Sequence, residues 1–563
     1  MAMVIIALAG TFVLVALGLS VGFGAANYKA ALHHDIINSG TRVFVNGTSC
    51  VTEEVRRKQS YTLKENVAYL QYSKAVPCHP SNGDEALYTA SRLGSYSKGL
   101  PHDTSTGVVS PSAYTALLQA FEIGISSYFD LIPNPGSLRL ENPQASYVFT
   151  SGLSSDSHYF YSAPPAAFAS GKFGHELTEL YWLSNARDVA FHEYATHAQT
   201  TNAAVEINTL IDYGGPLPTV AGTTLFRGTC SVGCLVGPYL SQFLYAPISV
   251  SRALPPVLPK INPPTADADF LLTWTEFVNV QNGGVPPGIM HYQPGVWRYI
   301  QSGRDLAYWV HSDPIAVGLG AARNAADFLH SLNVSLKTTM PYVAGSYNQA
   351  GAATFGPSGL HSELAAIAQE ALQAAYFQKW GVHRRLRPEE AGGKLDRVKT
   401  SISNWPIHAD VQSSSGLSTS HARVGSWLLP QAYPEGAPAS PGYVDEYSAV
   451  AAACTTFLKF VYDDSHVFAA PVDLATTNSS ALVSYNTTSL TVGGELNKLA
   501  WNIGLGRMFA GVSWRSDVKA GMVLGEQVAL DHLRAKRTVY NEVLVPWTAT
   551  SFDGTVMIVN TIA

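Results

Sequence analysis

Apolar residues recur at helical spacing through much of the chain. In HSELAAIAQEALQAAYFQKW, Leu364, Ile367, Ala371, Leu372 and Ala375 share one stripe while Gln369, Glu370 and Gln373 lie off it, which predicts a helix ending at Gly381. The same reading predicts helices in SAYTALLQAFEIGISSYFDLI, RDLAYWVHSDPIAVGLGAARNAADFLHSL, YSAVAAACTTFLKFVYDD and VKAGMVLGEQVALDHLRAK. Links rich in Pro, Gly and Asn separate them, among them IPNPGSLRLENP, SRALPPVLPKINPP and QAYPEGAPASPGY. No repeat of solenoid length occurs, and the strand-like stretches SLTVGG and VMIVNTIA are short. Residues 28–85 are polar and show no long periodic segment. The pattern predicts an all-α fold: a large helical bundle domain with short β hairpins over residues 86–563, preceded by an N-terminal extension at 28–85.

The first charged side chain is Lys29, and MVIIALAGTFVLVALGLSVGFGAA before it is long enough to cross a bilayer. Residues 1–27 therefore read as a signal peptide or a membrane anchor; the small residues Gly24, Ala25 and Ala26 suit cleavage, and the apolar length suits a retained span. Both readings place the rest of the chain outside the cell, secreted or at its surface. Four sequons agree with export and mark Asn46, Asn333, Asn478 and Asn486 as glycosylation candidates. Cys50 with Cys78 and Cys230 with Cys234 are disulfide candidates, and Cys454 reads as a buried free thiol. No metal site is expected: Cys230 and Cys234 lack a second ligand pair at zinc spacing, and His192 and His197 in HEYATHAQ have the wrong spacing for a helical zinc pair.

A net charge of −6 without any basic run argues against nucleic acid, because nothing could track a phosphate backbone. Hydrophobic residues make up 46% and charged ones 13%, with a mean hydropathy of +0.06. Such a composition fits a large interior or buried interfaces in a homo-oligomer.

Two segments concentrate cations. FQKWGVHRRLRPEEAGGKL holds Lys379, Arg384, Arg385 and Arg387 ahead of Pro388, and by itself reads as a helix end stopped by proline. In LAWNIGLGRMFAGVSWRSD, Arg507 follows a Gly-x-Gly expected to be a turn or helix break, in an apolar stretch where a guanidinium needs an anionic partner. Lys379, Arg387 and Arg507 together could cradle a tetrahedral oxyanion through charge-assisted hydrogen bonds.

With these residues the sequence resembles the algal-type vanadium-dependent haloperoxidases, the bromoperoxidases. KWGVHRRLRPEE, with Lys379 and Arg387-Pro388, is similar to their lysine and Arg-Pro segment. FLLTWTEFVNVQNGG, RYIQSGRDLAYWVHSD, NWPIHADV, LLPQAYPEGAPASPGY and NIGLGRMFAGVSWRSD also resemble family segments, and all stand in the family's order, so the resemblance spans roughly residues 100–535. It implies a helical fold shared with type 2 phosphatidic acid phosphatases and bacterial acid phosphatases, and assembly into dimers or larger shells. It also implies a vanadate pocket built from lysine, two arginines, a P-S-G-H-like segment and an axial histidine six residues after the last arginine. Lys379, Arg387 and Arg507 match that pattern as anion-binding residues.

The rest of the pocket departs from it. Ser513 stands where the axial histidine is implied, and Val444-Asp445-Glu446-Tyr447 stands at P-S-G-H. Serine is a poor vanadium ligand beside imidazole, and tyrosine, with an ordinary pKa of about 10, does not exchange protons near neutrality. Asp445 and Glu446 would repel a bound anion and can pair with the cations instead. His421 in STSHARVGSW lies too early in the family's order for the missing acid/base and reads as a structural or surface histidine, and His383 and His408 read as packing or hydrogen-bonding residues. The sequence thus leads to a family protein without confident catalytic residues, cofactor-free, that has lost vanadate binding and catalysis and serves a structural or binding role at or outside the cell surface. The alternative is an active or repurposed haloperoxidase-like enzyme, using vanadate for peroxide-dependent halide oxidation on the same scaffold.

Overall fold

The computed structural model describes residues 54–248, 254–343, 348–476, 478–542 and 544–560. The chain divides into two compact units, with the boundary after Ala75. In the first, Glu54–Tyr72 forms a helix, so the extension does contain one long regular element. Its polar composition hides the apolar periodicity that would signal a helix. The segment at 1–27, Asn46 and Cys50 lie outside the described residues. Among the described residues no helix is long and apolar enough to cross a membrane.

The second unit is mostly helical. Six helices position the site: α1 (Gly171–Asn185), α2 (Pro357–Tyr376), α3 (Pro388–Lys399), α4 (Glu446–Val461), α5 (Val492–Ala510) and α6 (Arg515–Arg537). Every residue of α4 and of α5 is buried. Their apolar and small residues run round the whole helix, which suits an element surrounded by others rather than one with a solvent face. Two antiparallel hairpins accompany them, β1 (Val472–Ala475) with β2 (Asn478–Ser484) and β3 (Trp547–Thr550) with β4 (Val556–Val559). SLTVGG is not a strand: Thr491 caps α5, accepting from the Gly494 N–H, and the helix begins at Val492.

Glycine lets these helices approach closely. A Cβ at Gly525 of α6 would lie 2.3 Å from the Ala449 carbonyl oxygen, and one at Gly521 would lie 2.4 Å from that of Asp445. The Gly-x-Gly ahead of Arg507 works in the same way. Gly504 and Gly506 sit inside α5, where a Cβ would meet Val518 at 2.4 Å and Val310 at 2.7 Å respectively. These glycines serve packing, not a break, and the helix ends at Gly511 with φ 82°.

The cationic stretch also folds differently from a plain helix end. Helix α2 passes into a wider π-helical turn over Phe377–His383, beyond the expected stop at Gly381, and Arg384 closes it with φ 39°. Pro388 then opens α3 at its first turn, where its missing N–H is harmless.

Candidate functional site

The extra residue in the π-helical turn carries Lys379 into the interior, fully buried. Its Nζ lies 2.6 Å from Glu446 Oε2 and donates to the Pro441 carbonyl. Arg387, extended ahead of Pro388, is held by its own N–H donating to Glu390 at 2.9 Å. Its guanidinium donates to the Ser440 carbonyl (2.7 Å), Ser440 Oγ (3.1 Å) and the Val512 carbonyl (3.1 Å), and lies 3.6 Å from Glu446 Oε1. Arg507, on the interior helix α5, donates to Glu446 Oε1 at 3.1 Å and lies 3.7 Å from Asp445 Oδ2.

One carboxylate thus sits among three cations brought together from separate elements. Glu446 is the first residue of α4 and Asp445 its N-cap, accepting from the Ser448 N–H at 3.2 Å and from Ser513 Oγ at 3.3 Å. Both carboxylates therefore lie at the positive end of a helix, a place that favours anions whether bound or built in. Tyr447 lies under the Arg507 guanidinium, 4.1 Å from ring centroid to charge, and its hydroxyl donates to the Ser312 carbonyl. Glu141, on a distant loop, accepts from Ser440 Oγ at 2.6 Å and backs Arg387 with a further carboxylate.

Burial and charge act against each other here. Burial raises the Glu446 carboxyl, but Lys379, Arg387 and Arg507 outweigh it and bring it down to about 2. Burial raises Asp445 above the usual carboxylate range; Arg507 opposes the rise and the neighbouring Glu446 charge adds to it. Burial and the Arg387 charge bring Lys379 down to about 8 despite Glu446. Tyr447 is pushed up by burial and stays a neutral phenol. The arrangement is a cradle of three buried cations around the Glu446 carboxylate. Among the described residues no histidine forms a hydrogen bond or ion pair with Lys379, Arg387, Arg507, Asp445 or Glu446.

The remaining candidates lie elsewhere. His421 stacks on Trp427 with centroids 3.7 Å apart, away from the cradle. His383 packs edge-on against Tyr443, and burial, with His79 and two arginines nearby, brings it down to about 3. His192 and His197 are not on a shared helix face: one lies in a 3-10 turn and the other caps Ala198–Ile207. Cys230 and Cys234 form a disulfide, Cys454 is a buried free thiol and Cys78 is exposed. Asn333 and Asn486 are exposed, and the side chain of Asn478 lies outside the described residues.

Sequence reasoning misses Glu141 and Ser440, which complete the shell around Arg387, because neither stands at a spacing that marks it. It also misses where Arg385 goes: this residue, fully buried, pairs with Glu176 at 2.9 Å and Asp517 at 2.6 Å. Arg384 pairs with Glu85 at 2.6 Å. The cationic stretch is thus a set of interior anchors, not an exposed helix end.

No family model matches the chain. It is 28% identical to the vanadium-dependent bromoperoxidase of Corallina officinalis, over 89% of this chain and 98% of that protein. It is also 28% identical to the vanadium-dependent bromoperoxidase of Ascophyllum nodosum, over 83% of this chain and 85% of that one. Its structure matches the homohexameric second vanadate-dependent bromoperoxidase of Ascophyllum nodosum with a TM-score of 0.82 and 25% identity, covering 94% of this chain and 96% of the other. Over most of its length the chain is thus similar in sequence to vanadium-dependent bromoperoxidases, and it shares the helical fold of one of them.

Proposed function

We propose that this chain is a family member without vanadate chemistry, in which Glu446 stands in for the bound oxyanion and the retained scaffold serves a structural or binding role at or outside the cell surface. The observation that carries the reading is the Glu446 carboxylate, 2.6 Å from Lys379 Nζ and 3.1 Å from the Arg507 guanidinium. The residues present do not fit vanadate. An oxyanion between these cations would meet an ionised carboxylate in a desolvated site, where like charges repel strongly. Ser513 offers a hydroxyl already donating to Asp445 in place of an imidazole ligand. With Glu446 and Asp445 at the site, no step of halide oxidation follows from these side chains.

Export is supported by the uncharged apolar start of the chain and by the exposed sequon residues Asn333 and Asn486. Homo-oligomeric assembly is supported by the homohexamer that its fold matches. The enzyme reading has one observation in its favour: Lys379, Arg387 and Arg507 converge on one point, so the cation half of an oxyanion site persists.

The two readings separate in a thermal-shift titration with orthovanadate, run beside a peroxide-dependent bromide oxidation assay. The wild-type chain is expected to show neither a shift in melting temperature nor turnover. The Glu446→Gly variant, whose cradle is vacated, is expected to gain a vanadate-dependent rise in melting temperature. Vanadate stabilisation of the wild type together with bromide oxidation would establish the enzyme reading instead.

A further inference from the structure

We propose a zinc site, separate from the oxyanion cradle, formed by His175, His408 and Asp410. His175 Nε2 lies 2.7 Å from Asp410 Oδ2, and His408 Nδ1 lies 3.4 Å from the same oxygen. One donor atom from each of the three falls within 4.8 Å of the others. In a tetrahedral zinc site with bonds of about 2.0–2.2 Å, adjacent donors stand roughly 3.4 Å apart. One observed separation equals that value, one is shorter and the third is within 4.8 Å, so small side-chain rotations bring all three onto one ion, with water as the fourth ligand.

Three features distinguish this cluster from a simple histidine–carboxylate tie. Two imidazoles lie beside one carboxylate oxygen, with centroids 5.9 Å apart in an edge-to-face arrangement, and His408 Nδ1 also accepts from the Asp410 N–H, so it presents a lone pair rather than a proton on this side. His175 is buried, at 4% exposure, so its Nε2, the nitrogen that faces Asp410, is a donor largely shielded from bulk water. Finally, a side chain at Gly171 would lie 3.5 Å from His408 Nε2, 3.7 Å from Asp212 Oδ2 and 3.7 Å from His175 Cε1. The glycine keeps open the space that these groups face.

The site joins the buried helix α1, which carries His175, to the short helix Ala409–Gln412, for which His408 is the N-cap. Asp410 and His408 are partly exposed, at 48% and 36% of their side chains, which leaves an entry path for the ion. Spacing along the chain predicts nothing here, because His175 and Asp410 are 235 residues apart. Zinc would act as a staple between α1 and that turn, adding stability without touching the cradle.

The test is zinc retention by the full chain, freed of any affinity tag, after equilibration with zinc chloride and exhaustive dialysis, measured by elemental analysis with the melting temperature read in parallel. The wild type is expected to keep one zinc per chain and to melt higher with zinc than with chelator. His408→Ala and Asp410→Asn change partly exposed side chains and are expected to keep the fold by circular dichroism while losing the ion and the zinc-dependent shift. A wild type that retains no zinc, or variants that retain as much as the wild type, would overturn the proposal.

Discussion

Glu446 is the residue on which the site turns. It is 1% exposed, and three cations with almost no exposure of their own face it, so its removal strands their charges in the interior. Breaking such an arrangement by deleting one partner costs about 3–5 kcal/mol, more than the pairing itself contributes over a well-packed apolar replacement. Glu446→Gln is therefore expected to destabilise the chain by about that amount in denaturant unfolding. Acid should expose the same dependence. The folded carboxyl titrates near 2 against an ordinary 4.5, so the unfolded chain binds more protons between those values and stability rises with pH across that window. The contribution is fully present at neutral pH and is lost as the pH falls from about 4.5 towards about 2. Melting temperature against pH should accordingly fall more steeply in the wild type than in Glu446→Gln below pH 4.5. Asp445, shifted upward, acts in the opposite direction, and since the two carboxyls interact it is the pair that titrates.

At the scale of elements, the site depends on how closely α4, α5 and α6 pack. Small residues on α4 and glycines on α6 allow backbone-to-backbone approach, and Gly525 offers no room for even a methyl group against the Ala449 carbonyl. Gly525→Ala is expected to destabilise by about 1–3 kcal/mol through overpacking, despite alanine being the better helix former. The measurement is again denaturant unfolding. A gain in stability from this change would mean that helix propensity, not packing, governs α6. The same principle explains Gly504 and Gly506, which look like a helix break when only the chain is considered and are contact points once Val310 and Val518 are in place. The π-helical turn at Phe377–His383 is a comparable case: an extra residue in the turn is what aims Lys379 at Glu446.

At the scale of the whole molecule, charge is concentrated inside. Only 13% of residues are charged, yet Arg187, Arg385, Arg387, Arg507 and Arg515 are among the largest fully buried side chains, held by interior carboxylates such as Asp269, Asp517 and Glu179. Meanwhile large apolar side chains including Ile211, Val285, Trp297 and Phe149 are exposed on the single chain. This distribution accords with the proposed assembly, since interfaces bury apolar surface that a monomer leaves to water. Sedimentation equilibrium is expected to report a multiple of the 60.3 kDa chain, and a monomer at micromolar concentration would count against an assembly role. The Cys230–Cys234 disulfide closes a very short loop, so it fixes local geometry more than it restricts the unfolded chain.

The amino-acid sequence by itself determined the helical class, the order of the family-like segments and the chemistry at positions 445–447 and 513. These are properties of periodicity and of spacing within a few residues, which the local chain carries. It also supplied the cations at 379, 387 and 507 and the carboxylates able to meet them. Only the tertiary structure decided that the Glu446 carboxylate sits between those cations. Only it placed Glu141 behind Arg387 and His175 beside Asp410. Pairing energies depend on distances of a few ångströms between groups far apart in the chain. Packing sets those distances, so no spacing read along one strand of sequence contains them.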